Sequence, residues 1–410
     1  LNILIICQNY PPERGPVWYT YNLANVLGVN HSVRVITGIP HYPYNKPYPG
    51  FKKNRIQIAF ENNVEVIRVP LILGSNNEKL KRIFGFISFV ISVLYYLRKE
   101  KKANLIIASI PPPTLAVLAV ILKKKLKAPL IFLIRDIEPL NYFRLKNVHE
   151  KFLPKIMTNY FFKQYRNGDA LVAIHKAQID ELLQHGFNQN KLFLISHSID
   201  LQKFDQQVKL NNYVKLPKNL NRLLGVYSGT IGLLHNVPKF IQYFSLKKFK
   251  ELPIDVIFFA EGEYLNICKK IVESEQIKNI KFFAFVQSDQ VPYLLSQADF
   301  LISLVEPNKN NFPSLSCKNY EYFASGKPIL ASGPSHSADL INRVNNGWSF
   351  NLNDEDSLYD SILNILACKE NLNVLGMRGR LYAEKEFIFE SFSRSWNELV
   401  LSHLQQSLTK

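Results

Sequence analysis

Short aliphatic and β-branched runs, apolar at nearly every position, recur along this chain and alternate with stretches of helical length. In the first half they are Asn2 to Cys7, Ser32 to Thr37, Val64 to Val69, Leu105 to Ser109, Pro129 to Ile134 and Ala170 to Ile174. A strand without a polar face is covered on both sides, which is the condition of a parallel sheet between two helix layers. Helical stretches at Val17 to Leu27, Thr114 to Lys125 and Lys176 to His185 intervene, so the alternation predicts a doubly wound α/β sheet. The alternation then restarts. Leu223 to Tyr227, Ile254 to Phe259, Ile280 to Phe283, Phe300 to Leu304 and Pro328 to Ala331 read as strands, with helices near 236–249, 263–275, 289–297, 316–325 and 357–369. Residues 201–221 between the two series are dense in Gln, Lys and Asn and read as a linker. A length of 410 residues fits two domains. The expected fold is therefore α/β, with two Rossmann-like domains facing each other across a cleft.

Lys and Arg number 50 against 33 Asp and Glu, a formal charge of +17. This excess points to an anionic partner: a phosphorylated substrate, an acidic membrane surface or nucleic acid. The cations flank apolar helices and do not form a backbone track interleaved with aromatics, which argues against nucleic acid. Cys7, Cys268, Cys317 and Cys368 stand far apart with no C-x-x-C pair, so no disulfide framework or structural zinc site is expected, and a reducing compartment is. The opening Leu1 to Ile6 lacks a basic leader and reads as a first buried strand.

Residues 83–97 carry no charge and lie between Lys79, Lys81 and Arg82 on one side and Arg98, Lys99, Lys101 and Lys102 on the other. As a helix they span about 22 Å, short of a hydrocarbon core of roughly 30 Å. Such a segment suits lying in an anionic leaflet, where it offers an apolar landing for a lipid-linked substrate. A core helix with solvated basic ends is the alternative.

The chemistry-bearing residues sit where strands hand over to helices. The loop Tyr10 to Pro16 follows the first strand, and its Gly15 permits close approach of backbone amides to phosphate oxygens. Tyr227 to Gly232 repeats the arrangement in the second series, where Gly229 and Gly232 serve a bound diphosphate or simply a turn. Lys318 stands near the start of a short predicted helix, against the macrodipole preference for anions there. A phosphate would account for it; so would a solvated surface. Glu321, one turn on, presents a carboxylate suited to both hydroxyls of a ribose. Asp136 and Glu138 follow the strand ending at Ile134 and point the same way, a placement suited to acting on a hydroxyl, unless Arg135 pairs with one of them. The nine His residues form no spacing that specifies a metal cluster or a triad.

Together, Gln8-Asn-Tyr-Pro-Pro-Glu-Arg-Gly15, Val33 to Pro43, Ser109-Ile-Pro-Pro-Pro113, Asp136-Ile-Glu-Pro139, Tyr227 to Gly232, Ala260-Glu-Gly-Glu263, Ala298-Asp299 and Lys318 to Pro328 resemble glycosyltransferase family 4 over nearly the whole chain. The likeness is to the bacterial branch that transfers fucosamine-type or related deoxy-sugars in O-antigen or capsule assembly. It implies GT-B architecture and a retaining, metal-independent, hexosyl-type transferase. Domain 1–205 would bind the acceptor, with the stretch from 380 to 410 returning to pack on it. Domain 206–379 would bind the nucleotide sugar, with uridine as the nucleoside and no separate cofactor. Gly15 would lie beside the diphosphate, Gly229, Gly232 and Glu263 among the donor-binding residues, and Lys318 at a position where the branch carries Lys. Glu321 would be the last Glu of the family's E-x7-E motif. The acceptor implied is an undecaprenyl-diphosphate-linked saccharide, reached peripherally at the cytoplasmic face of the bacterial inner membrane, alongside other polysaccharide-assembly proteins. Pro313 occupies the place of the first motif Glu, Pro16 that of a second Gly, and His235 is the sole basic group in the loop after Gly232. Ser196-His197-Ser198 stands where many relatives have Pro-Asn-Gly. Two rival readings stand beside this one: a catalytically silent scaffold, motivated by these departures, which would bind no nucleotide, and another sugar-nucleotide enzyme of the same two-domain design such as an epimerase, which would need no lipid acceptor and would be favoured by a core-packed helix at 83–97.

Overall fold

The computed structural model describes all residues except 14–16, 42–44, 75–78, 100–101, 147, 211–214, 233, 285, 287, 307–314 and 409–410. The chain divides into two compact units, 1–197 with 390–410, and 198–389.

In chain order the first unit runs β1 (Asn2–Ile6), α1 (Trp18–Gly28), β2 (Ser32–Gly38), β3 (Gln57–Glu61), β4 (Val64–Val69), α2 (Lys79–Tyr96), β5 (Leu105–Ile110), α3 (Thr114–Leu126), β6 (Leu130–Ile134), α4 (Leu140–Leu145), α5 (Phe152–Arg166), β7 (Ala170–Ala173), α6 (Lys176–Gln184) and β8 (Leu192–Leu194). The sheet order is β3-β4-β2-β1-β5-β6-β7-β8. All neighbours are parallel except the β3/β4 hairpin. The expected all-apolar strands are the interior ones, and β5 and β6 are buried along their whole length. Strand β3 was not expected. It is an edge strand with no fully buried residue, alternating half-buried and exposed positions, and its turn places Asn62 and Asn63 at φ 48 and 65, the left-handed pair that a two-residue hairpin needs.

The second unit comprises α7 (Leu201–Lys209), β9 (Leu223–Thr230), α8 (Val237–Tyr243), α9 (Lys247–Lys250), β10 (Ile254–Glu261), α10 (Leu265–Ser274), β11 (Ile280–Phe283), α11 (Val291–Ser296), β12 (Phe300–Ser303), α12 (Lys318–Ala324), β13 (Ile329–Gly333), α13 (His336–Val344), β14 (Gly347–Asn351), α14 (Glu355–Ala367) and α15 (Leu372–Glu386). Its sheet, β11-β10-β9-β12-β13-β14, is wholly parallel. That is the 3-2-1-4-5-6 order of the dinucleotide-binding fold, with the reversal of direction between β9 and β12. Separate apolar clusters fill its two faces.

Residues 201–209 are not linker. Asp200 caps α7 by accepting from Lys203 N at 2.9 Å, Phe204 is buried, and Asp205 takes a bidentate ion pair from Arg380 of α15. The polar composition that suggested a linker is the solvated face of an amphipathic helix. Boundaries at 205/206 and 379/380 would cut through α7 and α15, whereas the units meet at 197/198 and 389/390. The last helix, α16 (Phe389–Leu408), belongs to the first unit from Glu390 on. Its buried Trp396 donates to Tyr19 Oη at 3.1 Å, and Tyr19 donates to Ile195 O at 2.7 Å.

Candidate active site

In open parallel sheets, ligands bind at the carboxyl ends of the strands where the strand order reverses. In the second unit that point is the loop leaving β9. Gly229 has φ +139, a conformation that L side chains rarely adopt, and a Cβ there would lie 3.3 Å from Lys318 Nζ. Lys318 thus reaches from the first turn of α12 to the carboxyl end of β9. Its ammonium is buried with no hydrogen-bond partner among the described residues, 3.8 Å from the centre of the Tyr227 ring. Burial pulls its pKa down to about 7. The unpaired cation is supported by the ring's π-face but lacks the anion that such a group normally finds.

The surroundings are built to hold this arrangement. The Tyr322 hydroxyl, one turn beyond Lys318, accepts from Ser228 N at 2.9 Å, and Tyr227 donates to Thr230 O at 2.7 Å. Glu306 N donates to Leu234 O at 2.7 Å, and Ser332 Oγ bonds both the N–H and the carbonyl of Val305. The exits of β9, β12 and β13 are therefore tied together. His235 turns back through His235 N to Gly232 O at 3.0 Å, and its buried Nδ1 has no hydrogen-bond partner among the described residues. Burial, aided by the charge of Lys318, lowers its pKa to about 3, so it is neutral at physiological pH. Glu321 is half-buried, and burial pushes its carboxyl up to about 7.

Of the expected donor residues in this unit, the fold brings Gly229 and Lys318 into contact and sets Glu321 one turn along the same helix. Gly232 has open space where a side chain would be. Glu263 is exposed in the turn after β10, while its neighbour Gly262, at φ +127, packs within 2.5 Å of Ile231 O by its implied Cβ. Gly15 and Pro313 lie outside the described residues. Tyr227 and Tyr322 lie inside longer motifs and Ser332 outside them; nothing in their spacing marks these residues, because their roles depend on partners far away in the chain.

In the first unit, Asp136 and Glu138 follow β6, as expected. The turn is held through its backbone: Gln178 donates to Arg135 O at 2.8 Å, Tyr165 to Glu138 O at 2.6 Å, and Glu138 N to Asp136 O at 2.9 Å. Burial raises the Asp136 carboxyl to about 6 against the opposing pull of Arg135. The loop after β1 is clasped in the same way by buried Glu13, which accepts from Tyr10 N, Asn9 Nδ2 and His41 N. Among the described residues no three His, Cys, Asp or Glu side chains converge on a possible metal position. No helix there is long and apolar enough to cross a membrane.

Two family profiles match the chain, one largely over each unit: Glycosyltransferase Family 4 over residues 14–203 and Glycosyl transferases group 1 over residues 209–382. The chain is a GT-B glycosyltransferase related to these families. Among curated proteins nothing matches it. Solved structures do. The sucrose-phosphate synthase of Thermosynechococcus elongatus superposes with TM-score 0.74 at 15% identity, covering 98% of both chains. HepE of Anabaena, solved with UDP and glucose, gives 0.68 at 15% identity, covering 98% of this glycosyltransferase and 99% of HepE. WaaG, a glycosyltransferase involved in lipopolysaccharide biosynthesis, gives 0.67 at 14% identity over 96% and 98%. At such identities the likeness is one of fold, and it extends over both Rossmann-like units.

Proposed function

We propose that this glycosyltransferase moves a sugar from a nucleoside diphosphate to a saccharide hydroxyl with retention at the anomeric carbon. The observation that carries the reading is the Lys318 ammonium, buried, without an acceptor among the described residues and beside Gly229 at the strand-order reversal of the second unit. A diphosphate supplies the missing anion, and Glu321 on the same helix suits the ribose. When the anomeric C–O bond to the diphosphate breaks, charge grows on the departing oxygen, where Lys318 and loop amides stabilise it. The new bond forms from the acceptor oxygen on the same face, and the acceptor proton passes to the departing phosphate oxygen. Asp136, with Glu138 beside it, organises the sugar hydroxyls.

UDP is the proposed nucleotide, a reading supported by HepE having been solved with UDP and glucose. The proposed sugar is a deoxy-aminosugar of fucosamine type, and the acceptor a lipid-linked saccharide of O-antigen or capsule synthesis. The motif resemblance supports both, and WaaG's involvement in lipopolysaccharide biosynthesis supports the second. The enzyme would work peripherally at the cytoplasmic face of the inner membrane.

The test is to present the full chain, with membranes containing lipid-linked acceptor, to a panel of uridine and guanosine diphosphate sugars. Release of nucleotide with transfer of label to lipid from a uridine donor is expected. Failure to bind any nucleotide would overturn the reading in favour of a silent scaffold.

A further inference from the structure

Helices α2, α3 and α5 carry an outer surface that the reaction does not use. Helix α3 packs against both of the others, so the three form one layer on the sheet. The inward face of α2 is core, with Phe89 and Val93 fully buried. Its outward face is apolar as well: Ile83, Ile87, Ile91 and Tyr95 recur every four residues in single file, and Ile91 and Tyr95 are each 61% exposed. The core reading of residues 83–97 therefore holds for the inward face, and the outward face is left apolar and exposed. Helix α5, which the periodicity did not reveal, repeats the pattern with Phe152 at 82% exposure, Leu153 at 65%, and Ile156 and Tyr160 a turn apart behind them. Ile121 is exposed on α3 between the two.

The charge on these helices has one sign. Within Lys79–Tyr96, Thr114–Leu126 and Phe152–Arg166 there is no Asp or Glu, while Lys124, Lys155, Lys163 and Arg166 are exposed. Apolar side chains framed by cations match a surface that is apolar within and anionic at its rim. A second copy of the chain would instead bring like charges together. In a βα unit the helices run against the strands, so the first turns of α2, α3 and α5 share an edge with the carboxyl ends of β5 and β6, where Asp136 lies.

We infer that the α2–α3–α5 face docks this enzyme on an anionic lipid bilayer, with the first turn of α5 as its deepest-seated part. The inference deepens the lipid-linked acceptor reading above and names the surface that serves it. It is tested by sedimenting the full chain with vesicles of phosphatidylcholine alone and of phosphatidylcholine mixed with phosphatidylglycerol, alongside binding of a uridine diphosphate sugar without vesicles. Binding to the mixed vesicles and not to the neutral ones is expected. Phe152→Ser with Leu153→Ser should weaken it by tenfold or more, and Lys155→Glu with Lys163→Glu by about fivefold for each cation lost. Donor binding should stay unchanged in both pairs, since these residues belong to the first unit and the proposed donor residues to the second. Vesicle binding that ignores anionic lipid, or survives both pairs, would overturn the inference. So would a concentration-dependent dimer that the same substitutions dissolve, which would give the face to a second copy. Vesicle binding without donor binding would sink the enzymatic reading and leave this one standing.

Discussion

An ammonium without an acceptor is costly to bury, and Lys318 is the residue at which this chain carries that cost. Replacing it with Met keeps the stem and removes the charge. Nucleotide-sugar affinity should then fall about 10- to 100-fold, the worth of hydrogen bonds to a charged group, with the melting temperature unchanged or higher. Because burial holds Lys318 near pH 7 and a diphosphate binds its charged form, affinity for a nucleotide sugar should be flat below pH 7 and decline above it. Calorimetric titration across pH 6 to 9 should show that decline in the native chain and not in the Lys318→Met variant. Glu321 makes a separate prediction. Its folded pKa is raised to about 7, so between the ordinary carboxylate range and pH 7 the folded state holds a proton that the unfolded state has lost. Stability from this group is therefore full at low pH and lost as pH rises through 7, by at most about 1.4 kcal/mol per unit. Urea denaturation of Glu321→Gln should lack that slope. Lys318 and Glu321 were legible in the sequence as unusual residues at a helix start. Their burial was not, because it depends on residues far away in the chain, as the Tyr227 ring and Gly229 against the Lys318 ammonium show.

At the scale of elements, the loop that faces Lys318 is shaped by its neighbour after β10. A side chain at Gly262 would meet Ile231 O at 2.5 Å in a backbone conformation of φ +127. Gly262→Ala should therefore cost about 1–3 kcal/mol and displace the 229–232 segment. Guanidinium unfolding would show the first effect, and a weakened nucleotide-sugar affinity the second. The interior strands were plain from the sequence because both of their faces are apolar. What escaped were elements whose pattern is weaker: the half-exposed β3, the short β8, β14 with its polar alternation, the short α4, and the helices α5, α7, α13 and α15. Helix α5 escaped for a physical reason, since its exposed side carries Phe152, Leu153 and Ile156. Apolar residues on the outside and inside together erase the 3.6-residue signal.

At the scale of the molecule, the first unit is assembled from both ends of the chain. Trp396 is fully buried, its ring 6.4 Å from that of Tyr19, and Phe392 stands 5.1 Å from Tyr19. Trp396→Ala should destabilise the first unit by about 3–5 kcal/mol and leave the second unit's unfolding transition in place. Two-step denaturation followed by hydrogen exchange would separate them. The sequence showed two α/β series and their order; that the final helix completes the earlier series came from the family resemblance, since no periodicity tells a helix which sheet it covers. The discontinuity has a consequence for how the protein is made. All 192 residues of the second unit, 198–389, emerge from the ribosome before α16 does, so at about 5–20 residues per second the first unit waits roughly 10–40 s for its last helix. For that time Tyr19 faces water or a chaperone, and the nascent chain holds an open apolar seat that only its own final segment fills.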